Sequence, residues 1–518
     1  MSNKTFYITT PIYYVNDVPH IGHAYTTVAA DVLARYKRLK GYDVFFLTGT
    51  DEHGQKVEKA AKDRGKTPKE HADLMVDNFK NLWKTLNITN NAFIRTTDDE
   101  HKKVVREILQ KLRDKGEIEK RSYQGLYCTP CERFWTDKDV VNGNCPDCKR
   151  PVEHIEEENY FFLMSKYQDR LVKYIEENQG YILPEMRKNE VLGFLKNRTL
   201  GDLCISRPKA RLAWGIPLPF DENYTTYVWF DALLNYYSAT KYLAPSDIEW
   251  WPPDHHFIGK DILTTHAVYW STMLMALDMD LPKNIFAHGW WTVDGQKMSK
   301  SLGNVVDPNE IIEKYGVDAF RYFLLREVPF GLDGDFSINA LKGRINGELA
   351  NELGNLLSRT IALIVKNKKE GFPKRDDTKY ISVPDTPTFF SEGLSEWSNT
   401  FLKSFDFFMG KLQFYHAIGH VVGAIKGWNK YVQETAPWAE KDHDKISNTL
   451  YTLAEGLRII AVYLYPFMPS TAEKIWQQLG IEKDISKIDF DEEVKWGKDI
   501  SGLKVKKGEI LFPKVEAL

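Results

Sequence analysis

Near the start of the chain the spacing of apolar residues changes period twice. Thr5-Phe6-Tyr7-Ile8-Thr9 is a compact apolar run that predicts a buried strand. The stretch from Thr10 to Pro19 carries turn formers. Apolar positions then recur at Tyr25, Val28, Val32, Tyr36 and Leu39, a spacing that predicts a helix. Gly41 predicts its end, because glycine takes the positive φ of the C′ position without steric cost. Asp43-Val44-Phe45-Phe46-Leu47-Thr48-Gly49 reads as a second strand, so the unit is β-loop-α-β. A further helix is signalled by Thr67-Pro68-Lys69-Glu70, a capping box with proline at the first helical position. Its expected apolar face is Leu74, Met75, Phe79, Leu82, Trp83 and Leu86.

From about residue 116 to about 228 short strands and cysteines interrupt this pattern, and the sheet is expected to resume near Thr226-Tyr227-Val228-Trp229. Beyond Ser337 the period becomes helical, with Leu341, Ile345, Leu349, Leu353, Leu356, Leu357, Ile361 and Ile364 three or four residues apart. A proline-containing stretch from Gly371 to Pro387 follows, then helical patterns to about residue 480. The class predicted is α/β: a split Rossmann-type parallel-sheet domain with a zinc-knuckle insertion, followed by an α-helical bundle. The expected divisions are 1–115 and 229–295 for the two halves of the sheet domain, and 116–228 for the insertion. Residues 296–345 should form a loop and stem-contact region, 346–495 the bundle, and 496–518 a C-terminal segment.

Two short strings carry the candidate chemistry. His20-Ile21-Gly22-His23 falls at the predicted helix start, where unpaired N–H groups and the positive dipole end favour phosphate. A histidine there can donate a hydrogen bond to a phosphoryl oxygen that gains charge, and Gly22 leaves room for a flat base. Lys297-Met298-Ser299-Lys300-Ser301 follows a strand-like run, Phe286 to Val293, that ends in the turn signal Asp294-Gly295, so a mobile loop is expected. Lys297 and Lys300 can clamp a triphosphate, and no nucleophilic side chain is needed. The competing reading is two capping histidines and a solvated lysine loop.

Four of the five cysteines form two C-x-x-C knuckles, Cys128/Cys131 and Cys145/Cys148. This spacing suits one tetrahedral Zn²⁺ with no open position, so a structural site is predicted; paired disulfides are the alternative. Cys204 reads as a small buried hydrophobe.

These strings resemble the class I aminoacyl-tRNA synthetases. Thr10-Pro11-Ile12-Tyr13-Tyr14-Val15-Asn16, Thr48-Gly49-Thr50-Asp51-Glu52-His53-Gly54 and Val228-Trp229-Phe230-Asp231-Ala232 narrow the resemblance to the methionyl-tRNA synthetase family. The resemblance implies ATP-dependent activation of methionine and transfer to the 3′-terminal ribose of methionine tRNA, with Mg²⁺ accompanying ATP. His20, His23, Lys297 and Lys300 would stabilise the transition state. Gly22, Gly259 and Asp261 would join them around ATP, Asp261 accepting from a ribose hydroxyl. Asp51 would hold the substrate ammonium, and Ile12, Tyr14, Trp229, Ala232, Leu233, Tyr236 and His266 would surround the methionine side chain. Tyr13 competes with Tyr14 for that place, and for Trp270 core packing and pocket lining stand equal. Aromatic walls suit a flexible thioether. In the bundle Asn355, Arg359 and Trp438 would meet the anticodon, although the residues alone favour Trp438 as a core anchor.

Composition adds limits. A formal net charge of −3 gives no support for nucleic-acid binding. Ile459 to Met468 is well short of the roughly 20 residues of a membrane helix, and the chain enters a strand too soon for a signal peptide, so a cytoplasmic protein without membrane contact is expected. The C-terminal barrel of many family members is lacking, which predicts a monomer and leaves room for a separate protein to aid tRNA binding. Another class I synthetase such as the cysteinyl enzyme, and a non-catalytic RNA-binding relative, are the alternatives.

Overall fold

The computed structural model describes residues 4–128, 133–135, 140–146, 148–293, 295–298, 304–367 and 393–516. The chain opens with β1 (Thr5–Tyr14), α1 (Ile21–Leu39), β2 (Asp43–Asp51), α2 (Gln55–Asp63), α3 (Pro68–Thr85), β3 (Ala92–Arg95) and α4 (Asp99–Asp114). An interruption follows, with β4 (Ile118–Cys128), β5 (Arg133–Trp135), β6 (Glu153–Phe162), α5 (Gln168–Glu177), β7 (Ile182–Leu183) and α6 (Glu185–Asn197). It continues through β8 (Leu203–Cys204), β9 (Ser206–Pro208), β10 (Pro217–Leu218) and β11 (Asp221–Thr226). Next come α7 (Val228–Leu233), α8 (Asn235–Tyr242), β12 (His255–Gly259), α9 (Ser271–Ala276) and β13 (Ile285–His288).

The central sheet has the order β3-β2-β1-β12-β13-β7 and is parallel at every junction. Strands of such a sheet are covered on both faces, which is why β1 and β2 are buried almost continuously. β4, β5, β6 and β8 form a separate antiparallel sheet, as do β9, β10 and β11. Two expectations need correcting here. The parallel sheet does not resume at Thr226–Trp229: β11 belongs to the small antiparallel sheet and Val228–Leu233 is helical, the next central strand being β12. The stretch between residues 116 and 228 is also not wholly an insertion, because β7 lies within it and pairs Ile182 and Leu183 with Ile285 and Phe286 at the sheet edge.

Smaller differences have local causes. β1 runs past Thr9 to Tyr14, with its register to β2 shifting between Thr9 and Ile12. Pro11, which has no N–H to give to a ladder, lies in that irregularity. α3 has the expected reciprocal cap between Thr67 and Glu70, but Leu74 is 47% exposed. Its buried face is His71, Ala72, Met75, Val76, Phe79, Leu82 and Trp83. Gly41 takes φ +77° after α1, as its place at the helix end requires.

After β13 come β14 (Trp291–Val293), β15 (Gln296–Lys297), α10 (Pro308–Tyr315), α11 (Val317–Arg326), β16 (Gly334–Phe336) and α12 (Ile338–Arg344). A wider π-type turn over Ile345–Gly354 joins α12 to α13 (Asn355–Asn367). α14 (Leu394–Gly410), α15 (Phe414–Thr435), α16 (His443–Leu464) and α17 (Pro469–Leu479) complete the bundle. The proline-containing stretch from Gly371 to Pro387 lies outside the described residues. Among the described residues no helix is long and apolar enough to cross a membrane; Ile459 to Met468 is buried in the bundle core.

A buried ionic hub fastens α1 to this bundle. Asp31 Oδ2 accepts from Arg35 Nε at 2.8 Å and from Arg321 Nη2 at 2.7 Å, and its Oδ1 accepts from the Thr89 N–H at 2.7 Å. Arg321 also donates to the carbonyls of Leu86, Pro466 and Phe467. Burial pushes the Asp31 carboxyl up, but Arg35 and Arg321 outweigh it and hold it at about 2.

Candidate functional site

β1 has β2 on one side and β12 on the other, so the strand order reverses between β1 and β12. At such a point the carboxyl ends of the strands part and leave a crevice. A cleft of about 520 Å³ opens there. It is lined by Ile12, Tyr14, His20, Gly22, His23, Asp51, Trp229, Ala232, Leu233, Tyr236, Gly259, Asp261 and His266, residues spread over most of the first half of the chain. Every residue expected to meet ATP or methionine is therefore in one place, apart from the two lysines. Lys297 continues the hairpin of β14 and β15, opposite Thr292, while its side chain and all of Lys300 lie outside the described residues. Their neighbour Met298 lines the cleft.

His20 is the N-cap of α1 and forms an unusual reciprocal cap with His23. The Gly22 N–H donates to His20 Nδ1 and the His20 N–H donates to His23 Nδ1, each at 3.1 Å, and the two rings stack 3.9 Å apart. Burial pushes His20 below its ordinary value, against the opposing charge of Asp261. Burial, and then the neighbouring His20, push His23 further down. Both rings are thus neutral at pH 7. A neutral imidazole that accepts at Nδ1 carries its proton on Nε2, so the cap leaves two N–H donors at the helix start. Gly22 suits the same geometry, since a Cβ there would lie 3.0 Å from His20 Cε1 and would press on that ring.

At the other end Asp51 closes β2 and is 2% exposed. Tyr14 and Trp229 meet edge to face at 6.1 Å, while Ala232, Leu233 and Tyr236 come from α7 and α8. Tyr13 also reaches the cleft lining, but it is buried and stacks on Phe79 at 5.7 Å. Trp270 is fully buried and belongs to the core. His266 Nδ1–H donates to the Ile262 carbonyl at 2.9 Å, so its Nε2 must accept from the Tyr236 hydroxyl, 2.7 Å away. Burial brings His266 down to about 4, consistent with a neutral ring.

Gly259 ends β12 and Asp261 follows it, and a Cβ on Gly259 would fall 2.5 Å from Asp261 Oδ1. Trp290, 37% exposed, donates from Nε1 to Asp261 Oδ1 at 3.2 Å, and Lys260 Nζ lies 4.3 Å above its ring. Trp290 was not foreseen as part of the site. Neither were Asn235, Thr26 and His288, which also line the cleft, the last two paired at 2.6 Å. The available signal for His288 was its place at the end of a strand-like run, where a parallel sheet presents its ligands.

Away from the cleft, the sulfurs of Cys128, Cys145 and Cys148 lie within 4.8 Å of one another. Cys131 lies outside the described residues. Cys204 is buried, as expected. On the bundle surface Asn355 is exposed at the start of α13, and the Arg359 guanidinium lies 5.3 Å from the Trp438 ring centre. Trp438 is 47% exposed, so it is not the core anchor that its residue type alone favours.

The sequence model described as tRNA synthetases class I (M) matches residues 6–157 and 149–361, and that of the anticodon-binding domain of tRNA ligase matches residues 394–512. The methionine–tRNA ligase of Caldanaerobacter subterraneus is 49% identical over 99% of this chain and 79% of the relative. The chain belongs to the methionyl-tRNA synthetase family. The methionine–tRNA ligase of Bacillus subtilis is 46% identical over 99% of the chain and 78% of its own length, so the chain spans about four-fifths of these relatives. A solved structure of Mycobacterium tuberculosis methionyl-tRNA synthetase in complex with methionyl-adenylate superposes with a TM-score of 0.90 at 37% identity, covering 98% of this chain and 100% of that one. The fold is the one that sequence predicts: a parallel-sheet domain, a cysteine-bearing insertion and a helical anticodon domain.

Proposed function

We propose that the cleft activates L-methionine with ATP and passes the product to methionine tRNA. A methionine carboxylate oxygen attacks the α-phosphorus and pyrophosphate leaves. A hydroxyl of the 3′-terminal ribose then attacks the methionyl carbonyl and AMP leaves. Asp51 pairs with the substrate ammonium, a contact that a buried carboxylate makes strong. Ile12, Tyr14, Trp229, Ala232, Leu233, Tyr236 and His266 enclose the thioether. Because the Tyr236 hydroxyl donates its hydrogen bond to His266, this end of the pocket is dominated by aromatic and aliphatic surface, which suits a soft, polarizable sulfur.

His20 and His23 donate from Nε2 to phosphoryl oxygens as charge grows on them, Gly259 and Asp261 hold the ribose, and Lys297 and Lys300 clamp the leaving pyrophosphate. ATP enters with Mg²⁺, which screens its phosphates. In the helical domain Asn355 and Arg359 hydrogen-bond to splayed anticodon bases and Trp438 stacks on one of them. The observation that carries this reading is the meeting of the two α1 histidines with Asp51 and the aromatic wall in one cleft at the strand-order reversal. The test is exchange of pyrophosphate into ATP with each standard amino acid in turn. Methionine alone should drive it; exchange driven by another amino acid would overturn the pocket assignment.

Cys128, Cys145 and Cys148, with Cys131 as fourth ligand, would hold one structural Zn²⁺. A tetrahedral site with Zn–S bonds of about 2.3 Å needs sulfurs about 3.8 Å apart, and the three described thiols fall within 4.8 Å of one another. The metal would close the ribbon, whose local apolar cluster has, among the described residues, Cys128, Trp135 and Cys145 as its buried members. Cys145→Ser is expected to lower the zinc content from about one ion per chain to near zero and to open β4–β6 to proteolysis. Full zinc retention in that variant would remove the site.

A further inference from the structure

The methionine end of the cleft is built from two walls distant in sequence, Asp51 on one side and Trp229, Ala232, Leu233 and Tyr236 on the other. Neither α7, with six residues, nor the end of a strand holds its own orientation by length. The two residues that follow Asp51 are both anchored in the interior. Glu52, fully buried, accepts from Arg95 at 2.6 and 2.9 Å and Thr97 at 2.5 Å on the β3 side, and from Thr50 of its own strand at 2.7 Å. His53 turns the other way and meets Asp231 Oδ2 through Nδ1 at 2.6 Å.

Asp231 lies on α7 between two cleft-lining residues, Trp229 and Ala232, yet does not itself line the cleft. Its other oxygen, Oδ1, meets His101 Nε2 of α4 at 2.8 Å, and His101 Nδ1 meets Ser238 Oγ of α8 at 2.7 Å. Asp231, His53, His101 and Ser238 are each at most 4% exposed. One carboxylate therefore joins the Asp51 segment, α4 and the α7–α8 wall. Both its oxygens are taken up by imidazoles, which leaves it no part in chemistry.

We infer that Asp231 is a positioning residue for methionine, setting through His53 and His101 the separation between the ammonium-binding carboxylate and the side-chain wall. This rests on the reading of Asp51 as the ammonium ligand. It assigns Glu52 and His53 the task of fixing Asp51 from behind, and it explains why a buried carboxylate carries two histidines instead of an apolar contact. ATP contacts at His20, His23, Gly259 and Asp261 are made on other elements and should not feel the change.

The test is pyrophosphate exchange by Asp231→Asn, with KM for methionine and KM for ATP measured separately, and with Asp51→Asn in parallel. Asp231→Asn keeps the shape but turns one acceptor into a donor. KM for methionine should rise at least about tenfold, equivalent to about 1.4 kcal/mol, while KM for ATP changes less than about twofold. Where Asp231→Asn does not fold, His101→Gln, which loosens only one arm, should show the same split more weakly. In a double-mutant cycle with His53→Gln the combined rise should fall short of the product of the single rises, since both break one tie. Equal rises in both KM values, or an unchanged KM for methionine in a folded Asp231→Asn protein, overturn the inference. A methionine-specific loss in Asp51→Asn but not in Asp231→Asn overturns it while leaving the Asp51 reading intact. A loss in Asp231→Asn but not in Asp51→Asn overturns the Asp51 reading and with it the inference that rests on it; no loss in either also overturns both.

Discussion

Replacing His23 by asparagine is expected to lower the rate of adenylate formation by about 10²- to 10³-fold, the usual loss for one preorganised donor to a charged transition state. The choice of side chain separates chemistry from folding. Asparagine places a carbonyl oxygen close to where His23 Nδ1 accepts from the His20 N–H, so the cap of α1 survives and only the outward Nε2–H is lost. His23→Gln is the complementary variant. It restores a donor near the Nε2 position, and its Oε1 can accept from the His20 N–H as glutamine does at N3 of a capping box, so it should keep more of the rate with little change in melting temperature. KM for methionine should stay within about twofold in both, because this end of the cleft meets phosphate. Rapid-quench measurement of adenylate formation, alongside thermal melts, decides the matter. Equal rates in the asparagine variant and the parent would return His23 to the status of a capping residue alone.

The second large effect is on stability. Arg321→Met should cost about 3 to 5 kcal/mol, chiefly from buried carbonyls left without a donor at about 1 to 3 kcal/mol each. Arg321 and Asp31 are both fully enclosed, and the deletion leaves three carbonyls, those of Leu86, Pro466 and Phe467, without their guanidinium donor. Asp31 keeps Arg35, so its charge is not stranded. Because Asp31 is held below its ordinary value, the hub's contribution is present above about pH 4, the unfolded carboxyl range, and is lost as pH falls toward 2. Loss of near-UV circular dichroism at lower urea at pH 7 is the readout, with the difference from the parent shrinking in acid. A midpoint shift of less than about 0.3 M would correspond to under 1 kcal/mol for an m of about 3 kcal/mol/M and would rule the hub out as a stabilising element.

Much of this was legible in the order of residues, and the exceptions share a cause. The two histidines of α1 could be placed because helix capping is local: residues 20 to 23 suffice. The same holds for the Thr67–Glu70 cap and for the turn at Gly41. Leu74 was misassigned because a helix face is decided by what packs against it, and its neighbours turned Ala72 and Val76 inward instead. Val228-Trp229-Phe230 looks like a strand by composition, and a short apolar run cannot be told from a buried helix by period alone. The pairings of Thr26 with His288 and of His101 with Asp231 join residues 262 and 130 apart. No local pattern reports them. Resemblance supplied the cleft residues for the same reason: it carries the tertiary information that periodicity lacks.

The contribution of β7 to the central sheet bears on how chimaeras of this enzyme should be cut. Exchanging residues 116 to 228 as a cassette would strip the sheet of the strand that pairs with β13. A graft confined to β4–β6 would spare it. Ile118 and Phe162 are paired neighbours across that antiparallel ribbon, so its two ends emerge side by side and a short turn can seal the scaffold. The portable unit is therefore the cysteine-bearing ribbon alone, and the rest of the interruption belongs to the body that holds the substrates.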